Sequence, residues 1–249
     1  FLDRVELKGI KEREAKHRAR RDTALAGLAF PHDDFRPGQR GLAEDVYRAA
    51  ASGRCLLVEA PTGIGKTLGA LYPTLKAMPR RHIDRLAFLT MKTPGRRLAL
   101  DALSSLGADT RDETRLPLRV LELVARDKAC EYPDRACHGE SCPLARGFYD
   151  RLPEARQTAV ERGWLDRESL RELALEHQVC PYYLGQELAR WCDVLVGDVN
   201  HYFDDGALLH GLAQADDWRL ALLVDEAHNL VERARGMYSA GLSQQRLNR

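Results

Sequence analysis

The sequence has little of several features that mark particular classes of protein. Its 249 residues contain no apolar run of about eighteen residues, so no membrane-spanning helix is expected. The net charge is only +1, which neither supports nor excludes nucleic-acid binding, because such binding depends on local patches of charge. No internal repeat or low-complexity tract is present, and the six cysteines form no C-x2-C pair. With 44% hydrophobic and 30% charged residues, the composition favours an intracellular globular protein.

A strand, a glycine-rich turn and a helix are predicted in succession at residues 55–77. The apolar run at 55–59 predicts the strand, and residues 66–77 predict the helix. The turn between them is Ala-Pro-Thr-Gly-Ile-Gly-Lys-Thr, which has the pattern of a phosphate-binding loop except that Ala60 replaces the first glycine. Such a loop places backbone N–H groups and the positive end of a helix around an anion. A purely structural turn is the alternative interpretation.

Individual residues of this loop have the chemistry that phosphate binding requires. Gly63 and Gly65 can adopt backbone angles that are closed to other residues. Lys66 would reach the outer phosphates, and the hydroxyl of Thr67 would ligate magnesium. The sequence therefore predicts a nucleotide site that uses Mg²⁺.

A second motif follows the most hydrophobic strand predicted in the C-terminal part of the chain. The run 220–224 is continuously apolar, as expected of a buried parallel strand, and it ends in Asp225-Glu226-Ala227-His228. Asp225 at the end of such a strand is placed to hold magnesium, and Glu226 to orient and deprotonate an attacking water. Adjacent acids are more often a solvated loop, but the phosphate loop in the same chain favours a catalytic pair.

With these two motifs the chain resembles the superfamily-two helicases that carry a DEAH box, and within them the XPD/DinG branch. The segment 59–67 is close to the phosphate loop of that branch, and Phe-Arg-Pro-Gly-Gln at 35–39 matches its adenine-side motif. The segment 86–91 together with Thr93 matches its strand-and-loop element that touches nucleic acid. The resemblance covers about residues 33–235.

The resemblance assigns roles to residues that match the motifs. It implies that Arg36 and Gln39 lie near the adenine and that His228 couples the nucleotide site to a moving domain. The residues expected to bind ATP are Arg36, Gln39, Thr62, Gly63, Gly65, Lys66, Thr67, Asp225 and His228, with Glu226, Asp225 and Lys66 as the catalytic set. Thr67 and Asp225 are the expected magnesium ligands.

Four of the six cysteines cluster in the sequence, at 130, 137, 142 and 180. A reducing compartment makes disulfides an unfavoured interpretation, and structural zinc sites usually show the close pairs that are missing here. Cys142 and Cys180 each precede a proline, as the last ligand of some iron–sulfur runs does. The resembled family carries a four-cysteine iron–sulfur insertion in this interval, which implies a 4Fe–4S cluster on Cys130, Cys137, Cys142 and Cys180. Zinc, or His138 in place of one cysteine, remains an alternative.

The other two cysteines are interpreted as core residues. Cys55 lies on the strand predicted before the phosphate loop, and Cys192 ends a helical pattern. The basic segment from Lys11 to Arg21 is interpreted as a solvated helix face with ion pairs between residues four apart.

The order of predicted elements indicates an α/β fold, with a mostly parallel P-loop NTPase (RecA-like) sheet and an inserted helical four-cysteine iron–sulfur module. Besides those at the phosphate loop, strands are predicted at 85–91, 118–121, 193–198 and 219–224, and helices at 38–51, 94–105, 143–152, 153–162, 167–177, 181–191 and 226–235. The expected organisation is an upstream segment or linker at 1–32, the first part of motor domain 1 at 33–125, the iron–sulfur module at 126–192, and the return to motor domain 1 at 193–249.

The resemblance implies an ATP-dependent DNA helicase that moves 5′ to 3′ on single-stranded DNA and unwinds forked duplex. A helicase of this type needs a second motor domain, which this chain has no room for, so we expect an incomplete fragment that is inactive in unwinding by itself. Expected locations are the nucleoid-associated cytoplasm of a bacterium or the nucleus of a eukaryote. A zinc-stabilised nucleic-acid-binding module and a nucleotide-dependent regulatory ATPase are the alternatives.

Overall fold

Five parallel strands form a single sheet in the computed structural model, which describes residues 4–109 and 116–239. The strands are β1 (Arg85–Thr90), β2 (Val120–Glu122), β3 (Trp164–Leu165), β4 (Val194–Asp198) and β5 (Leu220–Val224). Their order across the sheet is β3-β2-β4-β1-β5. In the centre, Phe88 of β1 lies opposite Val196 of β4 on one side and Leu223 of β5 on the other. All carboxyl ends therefore meet at one edge of the sheet, where ligands of such folds bind.

Helices cover both faces of this sheet. They are α1 (Arg4–Ala26), α2 (Gln39–Ser52), α3 (Lys66–Arg81), α4 (Thr93–Ser105), α5 (Arg126–Ala129), α6 (Phe148–Arg162), α7 (Arg167–Glu176), α8 (Pro181–Leu188), α9 (Asn200–Phe203), α10 (Leu208–Ala215) and α11 (Leu230–Met237). None of the helices in the described ranges is both long and apolar enough to cross a bilayer.

Alternate residues of the central strands divide the core into two layers. Leu86 and Phe88 pack with residues of α1, α3 and α4, whereas Ala87 and Leu89 pack with residues of α6, α7, α8 and α10. Successive side chains of a strand point to opposite faces, so a strand buried on both faces reads as a continuous apolar run. The predicted α/β fold with a parallel sheet is confirmed.

Most predicted elements are present with shifted ends, but the extents of three predicted helices, at 143–152, 153–162 and 226–235, are wrong. The residues 148–162 form the single helix α6, with Pro153 in its interior and not at a new start. The chain after the acidic motif forms a short 3₁₀ turn, Ala227–Asn229, before α11, whereas one helix was predicted at 226–235. Pro153 removes one backbone donor from α6, while Leu152 and Ala155 on either side of it belong to the apolar cluster and hold the helix on the core.

The strand predicted at 55–59 is absent. Residues 54–60 have no regular secondary structure, and β5 is the edge of the described sheet. Leu57 is 89% exposed, and Cys55, predicted to be in the core, is exposed as well. An apolar run predicts burial, but a strand also needs a partner that takes its backbone hydrogen bonds, and in this structure the run has none.

The first helix is anchored to the amino-terminal edge of the sheet by buried ion pairs. Arg21, only 1% exposed, donates to Asp193 Oδ1 at 3.0 Å and to the carbonyls of Ile83 and Asp84. The solvated-face interpretation of Lys11 to Arg21 is therefore wrong for Arg21.

More contacts extend this anchor. His17 Nε2 lies 2.8 Å from Asp193 Oδ2, and Arg119 Nη1 contacts both oxygens of Glu14 at 2.9 Å. Burial alone would raise the pKa of Asp193, but His17, Arg21 and the N–H of Arg119 outweigh it and lower that pKa to about 2. The Asp193 carboxylate therefore stays charged inside the protein, and it fixes α1 where the chain re-enters β4.

The cysteine-rich segment is not separate from the sheet. Its residues Trp164 and Leu165 form β3, which pairs with β2. Residues of α6, α7 and α8 share one apolar cluster with Leu89, Leu121 and Leu195 of the central strands. The segment predicted as an insertion thus packs directly on one face of the motor core, while its boundaries at 126 and 192 stay predictions.

Candidate nucleotide site

The glycine-rich turn lies at the carboxyl edge of the sheet and starts α3. Gly63 and Gly65 have positive φ angles of 88° and 81°, a region that costs glycine little. Gly65 is the N-cap of α3, and Lys66 and Thr67 are its first two residues. The helix therefore presents its free N–H groups and the positive end of its dipole at the turn, as predicted for an anion site. Thr62 is exposed on the outer side of the turn.

The two residues predicted near the adenine brace this turn directly. Arg36 Nη1 donates to the carbonyl of Gly63 at 2.9 Å, and Gln39 Nε2 donates to the carbonyl of Gly65 at 3.1 Å. Gln39 is 3% exposed, and its Oε1 accepts the N–H of Arg36 at 3.0 Å. A Cβ atom at Gly65 would collide with the Gln39 amide. The glycine is thus required for close approach as well as for its φ angle.

The lysine of the turn faces the acidic motif. Lys66 Nζ lies 4.0 Å from Glu226 Oε1 and donates to the carbonyl of Ala60 at 3.2 Å. These residues are 160 positions apart in the sequence and meet because β5 ends beside the turn. Burial and the neighbouring Glu226 carboxylate raise the pKa of Asp225, and Lys66 and the N–H of Glu226 partly offset this. A concentration of negative charge facing one lysine is an arrangement that a cation would stabilise.

The backbone at the acidic motif is strained. Glu226 has φ 54°, in the left-handed region that non-glycine residues seldom adopt, and such strain concentrates at functional sites. His228 Nδ1 lies 3.7 Å from Glu226 Oε2, and its Nε2 is 2.8 Å from Asn229 Nδ2. His228 is well exposed, so it is available to a partner across the carboxyl edge.

The predicted nucleic-acid element forms β1 and the start of α4. Thr90 is buried at the end of β1 and packs against Gly95, where a Cβ atom would collide with its hydroxyl. Thr93 is the first residue of α4, and its hydroxyl accepts a hydrogen bond from Arg96 at 3.3 Å. The loop between Thr90 and Thr93 is thereby held at the same edge as the glycine-rich turn.

A polar cluster that the sequence did not predict lies beside this loop. Arg96 Nε lies 3.3 Å from Glu122 Oε1, and Glu122 Oε2 accepts the N–H of Arg167 at 3.0 Å. Burial lowers the pKa of His201, which faces both Asp198 and Arg96. The sequence feature that could have indicated this cluster is Asp198, an acid at the end of the apolar strand β4.

The same cluster reaches the helix that follows the acidic motif. Arg233 of α11 lies 3.3 Å from Asp198 Oδ1 and donates to Asn200 Oδ1 at 3.0 Å. Side chains from β2, β4, α4 and α11 thus join the cysteine-rich segment to the segment that carries Asp225 and Glu226.

The four predicted metal-ligating cysteines are only partly assembled. All six cysteines are free thiols; Cys137 is exposed and Cys142 is buried. Burial raises the pKa of Cys180, the N–H groups of Tyr183 and Tyr182 lower it, and the nearby Cys130 and Cys142 raise it. Within residues 4–109 and 116–239, no three Cys, His, Asp or Glu side chains are arranged to hold a metal ion. Cys192, predicted to be core, is 1% exposed, and burial raises its pKa to about 12.

Comparison with known proteins identifies the family of the chain. The profile of the DEAD_2 family matches residues 114–247, and that of the DEAD/DEAH box helicases matches residues 37–129. The chain is similar to the general transcription and DNA repair factor IIH helicase subunit XPD of Arabidopsis thaliana, with 26% identity over 236 residues that cover 81% of this chain and 30% of that protein. It is also similar to the regulator of telomere elongation helicase 1 homolog of Anopheles gambiae, with 24% identity over 234 residues that cover 74% and 23%.

A solved structure named truncated XPD superposes with a TM-score of 0.52 at 18% identity, covering 83% of this chain and 57% of that one. That likeness supports the fold alone. The chain spans about a third or less of the length of the curated relatives given above. Because the DEAD_2 profile covers more than half of the 249 residues and includes both the clustered cysteines and the acidic motif, the chain belongs to the DEAD_2 family of DEAD/DEAH-box, XPD-type helicases.

Proposed function

We propose that this chain is the first motor domain of an ATP-dependent DNA helicase that moves 5′ to 3′ on single-stranded DNA and unwinds forked duplex. The observation that carries the proposal is the approach of Lys66 to Glu226 at 4.0 Å, because it joins a phosphate-binding turn to an acidic pair in one site. The proposed place of action is wherever the genome lies, which is the nucleus of a eukaryote or the nucleoid region of a bacterium.

The proposed chemistry follows from the position of each group. Lys66 and the N–H groups at the start of α3 neutralise charge on the outer phosphates of ATP. Thr67 and Asp225 would hold Mg²⁺, which would supply positive charge beside those phosphates, and Glu226 would orient the attacking water and accept its proton. Because Asp225 is held beside another carboxylate, a bound divalent cation removes an existing repulsion there.

The adenine side and the coupling to movement complete the proposal. Arg36 and Gln39 hold the carbonyls of Gly63 and Gly65, so contacts with the base would be transmitted to the phosphate turn. His228 is exposed beside Glu226 and would report the state of the nucleotide to a second motor domain outside this chain. That domain would supply arginines for the transferred phosphoryl group.

Replacement of Lys66 by alanine tests the nucleotide site. In a protein that also contains a second motor domain, kcat for DNA-stimulated ATP hydrolysis is expected to fall by about 10²–10³, because one positioned charge at the phosphates is lost. The lysine is partly exposed and donates one hydrogen bond, to the carbonyl of Ala60, so the unfolding midpoint should change little. Lys8→Ala, at an exposed surface pair with Glu12, is the matched control and should keep full activity.

Undiminished hydrolysis in the Lys66→Ala protein would refute the site. A protein that hydrolyses ATP without any stimulation by DNA, and binds no single-stranded oligonucleotide, would support the regulatory ATPase in place of the helicase.

We also propose that Cys130, Cys137, Cys142 and Cys180 hold a 4Fe–4S cluster. The proposal is supported by the surroundings of Cys180: Cys130 and Cys142 lie near it, and the N–H groups of Tyr182 and Tyr183 bond its sulfur, as hydrogen bonds to cluster sulfurs do. Cys137 is exposed, and the four thiols would have to close around the cluster when it binds. When bound, the cluster would tie α5, the turns before α6, and α8 together and stiffen this segment as a wedge against duplex DNA.

Serine at Cys180 is expected to abolish the broad absorption near about 400 nm of anaerobically purified protein and most of its iron, because a thiolate ligand is lost. Cys192→Ser is the control, since Cys192 is buried in the apolar core, and this variant should leave the metal content unchanged. Zinc in a colourless parent protein would identify the alternative metal, and loss of metal on Cys192→Ser alone would show that the ligand set is wrong.

A further inference from the structure

Four cations on α1 are exposed and have no acidic partner in the described part of the chain; three of them share one side of the helix, and Lys11 lies on another. Between residues 8 and 26 this helix carries seven Lys and Arg against three Asp and Glu, although the whole chain has a net charge of +1. All three acids are already paired: Glu12 with Lys8, Glu14 with Arg119, and Asp22 with Arg21. The exposed cations left without an ion pair on one side of the helix are Arg13, Lys16 and Arg20.

The spacing of these three residues places them in one stripe. Positions 13, 16 and 20 differ by three and four, so their side chains follow one another along one side of an α-helix. The rise between neighbours is about 4.5 Å and 6 Å. The buried side of the helix, with His17, Arg21 and Leu25, lies roughly a third of a turn away. The stripe is therefore open to solvent along its length.

The anchor of α1 holds this stripe in a fixed place. Asp193 binds both Arg21 and His17 at the amino edge of the sheet, so the helix is not a free arm. Several exposed arginines elsewhere are engaged by acids, such as Arg48 by Asp45 and Arg235 by Glu232. A rigid row of unengaged cations loses little entropy on binding an anion.

The stripe is far from the nucleotide site. That site lies at the carboxyl ends of β1 and β5, whereas α1 contacts Ile83 and Asp84 just before β1 begins. Strands of five or six residues separate the two edges by about 17–20 Å. A ligand of the stripe therefore cannot be the ATP bound at Lys66.

We propose that Arg13, Lys16 and Arg20 form a second nucleic-acid contact, which grips the phosphodiester backbone at the amino edge of the sheet. The choice of nucleic acid as the polyanion rests on the proposed function. Successive cations along one line suit a polymer with regularly repeated phosphates, and the contact is independent of base sequence because it involves charge alone. The motor would then hold DNA at two edges of the same domain.

The test compares two charge-matched triple variants of the full chain. Arg13→Gln, Lys16→Gln and Arg20→Gln together remove the stripe, whereas Arg48→Gln, Arg190→Gln and Arg235→Gln remove three exposed arginines that are paired with acids. Fluorescence anisotropy measures binding of a labelled single strand of about 20 nucleotides, longer than one binding site, and of the matching blunt duplex. Each titration is repeated between about 50 and 200 mM salt.

Loss of the stripe is expected to weaken binding about 100-fold at about 0.1 M salt and to reduce the slope of log K against log salt by about 2 on the single strand and nearly 3 on the duplex. The control variant should keep both the affinity and the slope of the parent. Lys16→Gln alone should reduce the slope by about 0.7–0.9, which guards against a folding defect in the triple variant.

If the parent and the stripe variant bind with equal affinity and equal salt slope, the inference is overturned while the proposed helicase stands. An acidic protein partner for α1 would give this result. Failure of the parent chain to bind either oligonucleotide would overturn both proposals.

Discussion

A protein limited to these 249 residues is expected to hydrolyse ATP about 10³–10⁵ times more slowly than a longer protein in which a second motor domain follows. Lys66, Asp225 and Glu226 are together at one edge of the sheet, so nucleotide, magnesium and water have positions. In the described residues, no arginine is paired or hydrogen-bonded to Lys66, Asp225 or Glu226, which leaves charge on the transferred phosphoryl group to be stabilised from outside. Movement along DNA needs two domains that close and open around ATP.

The measurement is steady-state phosphate release with single-stranded DNA, beside strand displacement on a duplex with a 5′ tail. The longer protein carrying Glu226→Gln is the control for contaminating activity, since its water-activating carboxylate is missing while the fold is kept. Robust unwinding by the short chain would show that one domain is sufficient and that the two-domain proposal is mistaken.

Replacement of Asp193 by alanine is expected to lower the free energy of unfolding by about 3–5 kcal/mol, the cost of leaving a buried charge without its partner. Arg21 is 1% exposed and loses its buried carboxylate partner, keeping only the less buried Asp22, and the backbone N–H of Arg119 loses its acceptor at 2.9 Å. Urea unfolding near neutral pH, followed by circular dichroism, measures the change.

The control for Asp193 is Asp216→Ala, which removes an exposed ion pair with Arg190 and should cost no more than about 1 kcal/mol. Equal effects of the two substitutions would mean that the buried ions contribute nothing beyond a surface pair and that α1 is not anchored by them.

The Asp193 carboxylate also makes the free energy of unfolding depend on pH in the acidic range. The pKa of Asp193 is lowered from 3.8 to about 2 in the folded protein, so its contribution of about 2 kcal/mol is present above about pH 4 and is lost as the pH falls toward 2. Asp193→Asn should flatten the decline of stability in this window. A parent and variant with parallel pH curves between about pH 5 and 2 would contradict the assignment.

Local chemistry made the nucleotide site predictable. Two glycines, a lysine and a threonine at fixed spacing specify a phosphate turn, and an acidic pair after an apolar strand specifies its partner, because both depend on a few adjacent residues. The parallel sheet brings Lys66 to Glu226 without further information, since the carboxyl ends of its strands lie at one edge. The roles assigned to these residues stay proposals, but their proximity is observed.

Side-chain contacts between residues far apart in the chain could not be predicted from the sequence. Nothing near Arg21 indicates that its partner is Asp193, 172 residues away, so a basic helix looked like a solvent-exposed one. The brace of Gln39 on Gly65 escaped prediction for the same reason, because it depends on how α2 lies across α3. The cysteines show the complementary limit: their spacing suggests a ligand set, but in the described residues no three of them are arranged to hold a metal ion.

The exposed apolar run at residues 56–58 affects the tendency of the protein to aggregate. Leu56, Leu57 and Val58 are 42%, 89% and 44% exposed, and the outer strand β5 has no neighbour on its far side in the described residues. An unpaired sheet edge and an exposed β-forming run are each a template for edge-to-edge association of separate molecules. Arg54 and Glu59 flank the run, and charges in such positions oppose aggregation. The solubility of the protein at high concentration therefore depends on Arg54 and Glu59. Variants that must stay soluble should retain both charges.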